Sequence, residues 1–498
     1  MREKVKITKI DEVYIHIAAD RGILREFSEE FTFMVPGYKF TPAYKMGRWD
    51  GKIRLFSLQT QQIYLGLLNE VKDFCKERDY DVEIDYADFA QSTITAEEAY
   101  KFIHTIIPQV KIPNFDKEIR PYQLKSFIDC VRNNRLLLLS PTSSGKSFMI
   151  YLLIKWYKLP TLVIVDGTGP VHQMADDFLS YGYDEDNIHK IFSGQEKDTG
   201  REVTISTWQS LAKMPKSFFD KFGVIIGDEA HHFQAKSFTE LMHKTGDTVY
   251  KFGFTGTIDD SSKCNVLVLS GLFGPVTKIV STAELIEQNH IADLRIKCII
   301  LQYEDKVKRS LKGADYAKEM DFIARNTARN EFIKKLSIEK ANKGQNTIIF
   351  FQFVEKHGKE LYDIISKATD KPVFFVHGGV KGEIRNDMRA EIEKTDGAII
   401  VASYGTFQTA ISINNIHNLI FGSPSKSKIR NLQSIGRGLR KHHSKKYVTL
   451  YDIADNLIIG TYKNHTIRHF AERIKIYDSE KFKYEYINIK LEDKSNGS

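Results

Sequence analysis

Short, uninterrupted apolar runs alternate with helix-length stretches along most of the chain, from about residue 113 onward. The runs consist of apolar and β-branched residues without polar alternation, which is typical of strands buried on both faces of a parallel sheet. They form two successive sets: 135–140, 161–166, 203–207, 224–229 and 252–257, then 347–352, 373–378, 397–403, 417–423 and 448–454. The two sets predict two tandem α/β domains with a boundary near 275–295.

The start of the chain has a different pattern. Apolar and polar residues alternate over about 30–70, with interspersed glycines, and a helical stretch follows. We therefore predict an α/β protein in which two tandem parallel-sheet domains are preceded by a small α+β domain. The predicted bounds are 1–95 for the small domain, 96–280 and 281–455 for the parallel-sheet domains, and 456–498 for a C-terminal helical extension and tail.

Composition excludes several classes of protein. The 498 residues are 42% hydrophobic and 27% charged, which argues against a disordered or disulfide-held chain. Four cysteines without a CxxC pair (Cys75, Cys130, Cys264 and Cys298) argue against structural zinc and fit a reducing compartment. No apolar run reaches the length of a membrane span, and the first residues lack a signal-peptide core. The sequence thus predicts a cytoplasmic protein with no membrane partner.

The net charge of +8 is small for this length, but its distribution is uneven. Residues 421–450 contain eight Lys or Arg and no Asp or Glu, and residues 31–69 contain five basic residues, one acid and several aromatics. Basic stretches with interleaved aromatics suit a polyanion that carries stackable bases. An ordinary solvated surface is the alternative for either stretch.

A phosphate-binding loop is indicated at 140–147, SPTSSGKS, directly after an apolar strand and before an amphipathic helix. In such a loop the backbone N–H groups surround phosphates, Lys146 supplies a positive charge and the Ser147 hydroxyl can bind Mg²⁺. Ser140 stands where the usual pattern has its first glycine. The strict pattern is therefore missed by one residue.

Two carboxylates follow the apolar run at 224–229. Carboxylates at the carboxyl end of a buried parallel strand point into the crevice where α/β sheets bind ligands. Asp228 is a candidate for holding Mg²⁺, and Glu229 for orienting the attacking water. The alternative, an acidic strand end that caps the next helix, is weakened by the loop upstream.

Two arginines in the second parallel-sheet domain complete the candidate catalytic set. Arg437 and Arg440 are three residues apart, which places them on one face of a helix. A guanidinium can stabilise transferring phosphoryl oxygens as an arginine finger. A solvated basic helix is the alternative interpretation.

In order and spacing, these motifs resemble those of superfamily 2 helicases, from about residue 115 to 450. The resemblance implies two RecA-like domains that use ATP and Mg²⁺ on a nucleic acid, and a catalytic role for Gln433. It implies that nucleotide is bound by Arg120, Tyr122, Gln123, Pro141, Thr142, Ser143, Ser144, Gly145, Lys146 and Ser147. It implies that ATP hydrolysis is coupled to action on the nucleic acid through His231, Thr255, Gly256 and Thr257. Nucleic-acid contact is implied for Thr168, Gln173, Thr207, Trp208, Gln352, Ser403, Thr406 and Thr409. Two motifs depart from the usual pattern, at Asp166 and at Ala410.

The N-terminal segment 37–56, GYKFTPAYKMGRWDGKIRLF, resembles the leading domain of the UvsW-type recombination and repair helicases of T-even phages. That resemblance implies a motor on branched DNA, single-stranded DNA and RNA–DNA hybrids. The implied reactions are fork regression, junction migration and R-loop removal. Recombination proteins and single-strand-binding proteins are implied as possible partners.

A basic hairpin is predicted in the leading domain. Asp50-Gly51 is a strong two-residue turn signal. Alternation along the strand that follows puts Lys52 and Arg54 on one face. With Lys39, Arg48 and Trp49, these residues are predicted to contact nucleic acid. The alternative is that Trp49, Tyr38, Phe40 and Tyr44 form the core of this small domain.

Three other functions compete with a helicase. A double-strand translocase would pump duplex without separating strands, and a binding or annealing protein would carry a relic ATPase site. An RNA-only helicase is the third. The complete set of ATPase residues argues against the second alternative, and the Asp-Glu-Ala-His sequence at 228–231 and the leading domain argue against the third.

Overall fold

The computed structural model describes residues 3–89, 92–112, 115, 117–192, 200–258, 263–380, 382–406 and 413–491. These residues divide into two compact units, Met1–Ser140 with Gly145–Ile279 and Val280–Ser498 with Pro141–Ser144. The predicted boundary near residue 95 lies inside the first unit. In the ranges just given, no helix is long and apolar enough to cross a membrane.

The leading region is a mixed α+β layer. Its strands are β1 (Lys4–Lys9), β2 (Tyr14–Ala18), β3 (Thr32–Met34), β4 (Lys52–Arg54), β5 (Phe56–Ser57), β6 (Gln62–Tyr64) and β7 (Asp81–Ile84). Its helices are α1 (Arg21–Glu30), α2 (Pro42–Lys45), α3 (Leu68–Glu77) and α4 (Ala96–Ile106), with 3₁₀ segments at Tyr38–Phe40, Leu65–Leu67, Tyr86–Phe89 and Ile107–Gln109. Five of the strands form one sheet in the order β5-β6-β2-β1-β7, and β3 pairs with β4 in a separate ribbon. Alternate residues of β1 and β2 are buried, so one face of the sheet packs against the core.

The first parallel sheet has the order β10-β11-β9-β12-β13-β8-β14. Its strands are β8 (Arg135–Leu139), β9 (Thr161–Val165), β10 (Ile188–Ile191), β11 (Val203–Thr207), β12 (Val224–Asp228), β13 (Tyr250–Thr255) and β14 (Val276–Lys278). The surrounding helices are α5 (Pro121–Asn133), α6 (Lys146–Tyr157), α7 (Thr168–Ser180), α8 (Trp208–Leu211), α9 (Lys216–Phe219), α10 (Lys236–Met242) and α11 (Lys263–Phe273), with 3₁₀ segments at Glu185–Asn187 and Ala230–Gln234. The five predicted runs are buried strands here, because their unbroken apolar character suits a sheet covered on both faces.

The second parallel sheet has the order β17-β18-β16-β19-β20-β15-β21. Its strands are β15 (Asp293–Gln302), β16 (Thr347–Phe351), β17 (Val373–Val376), β18 (Ile399–Ser403), β19 (Asn418–Phe421), β20 (Tyr447–Asn456) and β21 (Tyr484–Lys490). The helices are α12 (Thr282–Glu287), α13 (Asp305–Ser310), α14 (Tyr316–Arg325), α15 (Thr327–Asn342), α16 (Lys359–Ser366), α17 (Gly382–Lys394), α18 (Lys428–Gly438) and α19 (His465–Ser479), with a π-helical segment at Val354–Gly358. The predicted fold class, two parallel α/β sheets behind a small α+β domain, is confirmed.

The C-terminal segment differs from the helical extension that we predict. It contains α19 but also β21, which pairs in parallel with β15 and completes the second sheet. The sequence of β21, YEYINIK, alternates apolar and polar residues, as expected for a strand with one exposed face. Residues 456–491 therefore belong to the second sheet domain.

Glu12 ties the leading region to the first parallel sheet. Its carboxylate accepts a hydrogen bond from Arg135 at 2.7 Å, and its backbone carbonyl accepts one from the Lys251 ammonium at 2.6 Å. Both cations are buried, and burial lowers the pKa of Lys251 well below its usual value. The backbones also approach closely here, because a Cβ on Gly66 would lie 2.1 Å from the Ser270 carbonyl oxygen. The leading region is thus packed firmly on the sheet that follows it.

Two buried ion pairs fix helices to opposite faces of β20. Asp452 accepts from Arg473 of α19 at 2.7 Å, and Asp455 accepts from Arg329 of α15 at 2.8 Å. Because the two aspartates are an odd number of residues apart, they point to opposite faces of the strand. All four side chains are fully buried. Each helix is held by a charge that has no access to water.

Replacing Asp455 with Asn should destabilise the second unit strongly. The change leaves the Arg329 guanidinium buried without its counter-charge, which costs about 3–5 kcal/mol. Native-state hydrogen exchange of the β20 amides measures the loss. Glu485→Gln is the matched control, because Glu485 pairs with Lys297 at the surface, where such pairs contribute about 0–1 kcal/mol. Equal exchange rates in the two variants would contradict the assignment.

Candidate nucleotide and nucleic-acid sites

Three neighbouring strands of the first parallel sheet end at the same edge. In the order β12-β13-β8, Asp228 is opposite Phe254, and Thr255 is opposite Leu139. Because the strands are parallel, the segments that follow them leave the sheet side by side. The loop 140–147, the Asp228–Glu229 pair and the turn after Thr255 therefore lie at one crevice, as the sequence predicts.

The loop 140–147 has the tight backbone that phosphate binding requires. Ser143 and Gly145 both have left-handed conformations, with φ of 69° and 89°. Gly145 is the N-cap of α6, so Lys146 is the first residue of that helix. A Cβ at position 145 would lie 2.4 Å from the Gln123 side-chain nitrogen. The φ of 89° favours glycine there, and a side chain would displace the Gln123 amide. The N–H groups of the first turn of α6 are suited to an anion.

Lys146 meets Glu229 across the crevice. The ammonium lies 3.3 Å from the Glu229 carboxylate, and both side chains are largely buried, at 16% and 29% exposed. Glu229 has φ of 50°, a left-handed conformation that costs a non-glycine residue about 1–3 kcal/mol and is concentrated at functional sites. The base candidate Glu229 and the phosphate-binding candidate Lys146 are thus within contact distance of each other.

His231 links the Glu229 segment to the end of β13. Its Nδ1 lies 2.8 Å from the Thr255 hydroxyl, which donates its own hydrogen to the Thr257 carbonyl at 2.9 Å. Nδ1 therefore carries the hydrogen that Thr255 accepts. Burial lowers the pKa of His231 to about 4, so the ring is neutral at pH 7. The structure brings together His231, Thr255 and Thr257, and Gly256 lies between the two threonines.

The residues at 120–123 are organised by the start of α5. Arg120 donates to the Tyr122 hydroxyl at 2.9 Å, and its backbone N–H donates to the Gln123 side-chain oxygen at 3.3 Å. Pro121 occupies the first turn, where its missing N–H is not needed. Tyr122 and Gln123 are buried. Of the predicted nucleotide-binding residues of this segment, Gln123 lies beside Gly145 of the loop.

Four predicted nucleic-acid residues of the first unit follow β9 and β11. Thr168 and Gln173 are exposed on α7. Thr207 is buried and hydrogen-bonds the Ser210 hydroxyl at 2.9 Å, and Trp208 packs on Phe238 with ring centroids 4.7 Å apart. Of these four residues, Thr168 and Gln173 are exposed, Trp208 is half-buried and Thr207 is buried.

In the second unit, Gln352 follows β16 and lines a cavity of about 410 Å³. Its lining includes the cations Lys426 and Arg430 and the histidines His465 and His469. Burial lowers the pKa of His469 to about 4, so that ring is neutral at pH 7. Ser403, at the end of β18, hydrogen-bonds Thr406 at 2.8 Å. Thr409 lies outside the described residues.

The prediction that Arg437 and Arg440 share one helical face is wrong. Helix α18 ends at Gly438 with Leu439 as its C-cap, so Arg440 lies beyond the helix. Gln433 and Arg437 are four residues apart within α18 and do share a face. The two glycines in QSIGRGLR favour an early end to this helix.

The predicted two-residue hairpin at Asp50-Gly51 is also wrong. The strand before β4 in the ribbon is β3, and the intervening residues 35–51 form a compact excursion that includes α2. Asp50 accepts from the Lys52 backbone N–H at 3.1 Å and pairs with Arg54 at 2.5 Å. The Asp-Gly signal therefore marks a local turn into β4, which a short sequence window cannot distinguish from a hairpin turn. The predicted alternation is confirmed, with Lys52 and Arg54 exposed and Leu55 buried.

Comparisons with known proteins agree along the chain. The family "DNA helicase UvsW, N-terminal" matches residues 4–85, "Type III restriction enzyme, res subunit" matches 116–260, and "Helicase conserved C-terminal domain" matches 328–442. The ATP-dependent DNA helicase UvsW of Enterobacteria phage T4 is 34% identical over 508 residues, which cover 98% of this chain and 100% of the T4 protein. This chain belongs to the UvsW family of ATP-dependent DNA helicases.

Comparison with solved structures supports the assignment of this chain to the UvsW family. The crystal structure of T4 UvsW matches with a TM-score of 0.50 at 32% identity, over 98% of this chain and 100% of the T4 chain. The DEAD-box helicase Mss116 bound to single-stranded RNA matches with a TM-score of 0.56 at 16% identity, over 80% and 81% of the two chains. The second likeness shows the fold alone. The resemblance to UvsW-type helicases is confirmed, and the family uses ATP and acts on nucleic acid.

Tyr181 of this UvsW-family helicase lies at the candidate nucleotide site, although no sequence motif points to it. The Tyr181 hydroxyl lies 2.9 Å from the Ser147 hydroxyl, 34 residues away along the chain. Burial raises the pKa of Tyr181 above its usual value, so the hydroxyl keeps its proton. Tyr181 follows α7, and only the packing of α7 against α6 brings the two hydroxyls together. Tyr181 is therefore placed to orient Ser147.

Proposed function

We propose that this helicase hydrolyses ATP·Mg²⁺ at the carboxyl edge of its first parallel sheet and uses the energy to remodel branched DNA and RNA–DNA hybrids. The contact between Lys146 and Glu229, beside the loop 140–147, is the observation that carries the proposal. It supports the proposal because the candidate phosphate-binding cation and the candidate carboxylate base meet at one crevice. Fork regression, junction migration and R-loop removal are the reactions proposed.

The nucleotide is held by the loop and the start of α6. Backbone N–H groups and Lys146 bind the phosphates, and the packed Arg120, Tyr122 and Gln123 segment reads the adenine. Ser147 and Asp228 supply the oxygen ligands that Mg²⁺ prefers, and Tyr181 orients the first of them. A Mg²⁺ ion held by these oxygens would supply positive charge to the phosphates.

Glu229 orients the attacking water. When phosphates bind, they compete for Lys146, and the Glu229 carboxylate is released from the 3.3 Å ion pair. Glu229 also lies 3.4 Å from His231, which contacts Thr255, and Thr255 in turn donates to the Thr257 carbonyl. A movement of Glu229 would therefore shift His231 and the two threonines. That chain of contacts is the proposed coupling route. For Gln433, Arg437 and Arg440, the proposed part in hydrolysis rests on the sequence alone.

Nucleic acid is proposed to contact both units. In the first unit Thr168 and Gln173 are exposed on α7, and Lys39, Arg48 and Lys52 are exposed on the ribbon between β3 and β4. In the second unit Lys426 and Arg430 line the cavity beside Gln352. Lysine and arginine contacts to phosphates give affinity without reading sequence. Substrate choice among branched forms therefore needs a further feature.

Lys146→Ala should abolish ATP turnover, and Glu229→Gln should abolish it while ATP still binds. Each change removes one charged group that acts in the transition state, and such losses lower kcat by about 10²–10³-fold. ATP binding and steady-state hydrolysis, measured on both variants, separate the two roles. Lys236→Ala, which removes an exposed lysine of the same domain, is the control. Turnover within a few-fold of wild type in Lys146→Ala would remove this loop from the mechanism.

The substrate class is tested by measuring ATPase and strand separation side by side. Forks, four-way junctions, RNA–DNA hybrids and plain duplex are compared with the wild-type chain. We expect faster hydrolysis and strand exchange on the first three than on plain duplex. Displacement of a triplex strand from plain duplex without unwinding would instead show a double-strand translocase. Hydrolysis that no nucleic acid stimulates would contradict the proposal as a whole.

A further inference from the structure

The excursion between β3 and β4, residues 35–51, exposes two large apolar side chains. Phe40 is 82% exposed and Met46 is 63% exposed. We call this segment the ribbon tip. Scattered apolar residues at a surface are ordinary. Two of them within seven residues, one almost fully in solvent, make this segment a candidate binding surface.

The ribbon tip is a built structure. The rings of Tyr38 and Tyr44 pack edge to face with centroids 4.7 Å apart. Gly51 lies under Tyr38, because a Cβ there would be 2.4 Å from the tyrosine ring. The Trp49 indole N–H donates to the Lys52 carbonyl at 2.9 Å. Among these aromatics, Phe40 is the one left in solvent.

The charge around the ribbon tip favours a polyanion. Lys39, Lys45, Arg48 and Lys52 are all exposed. The acidic residue of this stretch, Asp50, is paired with Arg54, which lowers the pKa of its carboxyl. An acid that is already neutralised leaves the four cations to set the local potential.

The base of the ribbon is fixed to the unit that contains Lys146. Phe33 of β3 and Ile53 of β4 pack against the buried core of the first unit. Glu30 also pairs with Lys263, at the start of α11, at 3.2 Å. The tip is therefore carried by the same unit as the proposed ATP site.

We propose that Phe40, supported by Met46, stacks on the base pair exposed at a DNA branch point while the surrounding cations hold the flanking phosphates. The inference rests on the proposed function and deepens it by naming the residue that distinguishes a branch from an intact duplex. A flat apolar ring stacks on any base, and apolar side chains are the usual wedges between base steps. An intact duplex offers such a face only at its ends, whereas a fork or four-way junction offers one at the branch.

The test compares Phe40→Ala with wild type on a fork and on a plain duplex of the same length. Stacking on one base contributes about 1–3 kcal/mol, so fork affinity should fall by about 5- to 150-fold. Affinity for the plain duplex, which is held through its phosphates, should fall much less. A 2-aminopurine base at the branch should be quenched by wild type and less so by Phe40→Ala. Phe40→Trp should keep both fork affinity and quenching.

Leu58→Ala is the matched control, because Leu58 is 45% exposed in the same leading region but lies outside the ribbon tip. It should bind forks as wild type does. Equal thermal unfolding of Phe40→Ala and wild type shows that the change leaves the fold intact, as expected for so exposed a ring. Wild-type fork affinity and quenching in Phe40→Ala would overturn the inference, and the tip would then be assigned to a protein partner. If wild type itself shows no preference for forks, the proposed function fails instead.

Discussion

The parallel pairing of β12, β13 and β8 is the constraint on which the rest of the first unit depends. Parallel neighbours must end at the same edge, so their following segments are brought together whatever their distance in sequence. That pairing brings Lys146 to within 3.3 Å of Glu229 and sets His231 against Thr255. A shift of register between β12 and β13 would separate the base candidate from the phosphate loop.

Buried ion pairs fix the positions of elements that the pairing of β-strands does not fix, namely the helices packed on β20 and the leading region. Asp452 and Asp455 hold a helix on each face of β20, and Glu12 holds the leading region through Arg135 and Lys251. Breaking a buried pair costs more than forming it gains, so these contacts specify geometry more than they add stability. For a helicase, a leading region fixed to the first sheet lets a branch contact and the nucleotide crevice move together.

The features that the sequence predicts correctly are those that one physical rule determines. Unbroken apolar runs predicted the central strands of both parallel sheets, and the loop 140–147 and the pair Asp228–Glu229 were found because strand ends in such sheets bind ligands. The apolar runs do not include β10 and β14 of the first sheet or β15 and β21 of the second, whose polar residues reflect positions at or next to a sheet edge. Tyr181 has no signal because its role arises from helix packing alone.

The most direct test of the central claim is hydrogen exchange with and without a non-hydrolysable ATP analogue and Mg²⁺. We expect the amides of 140–147 and of the first turn of α6 to exchange more slowly when the nucleotide is bound. The same protection should be lost in Lys146→Ala. Protection confined to other parts of the chain, with residues 140–147 unchanged, would contradict the assignment of this sheet edge as the ATP site.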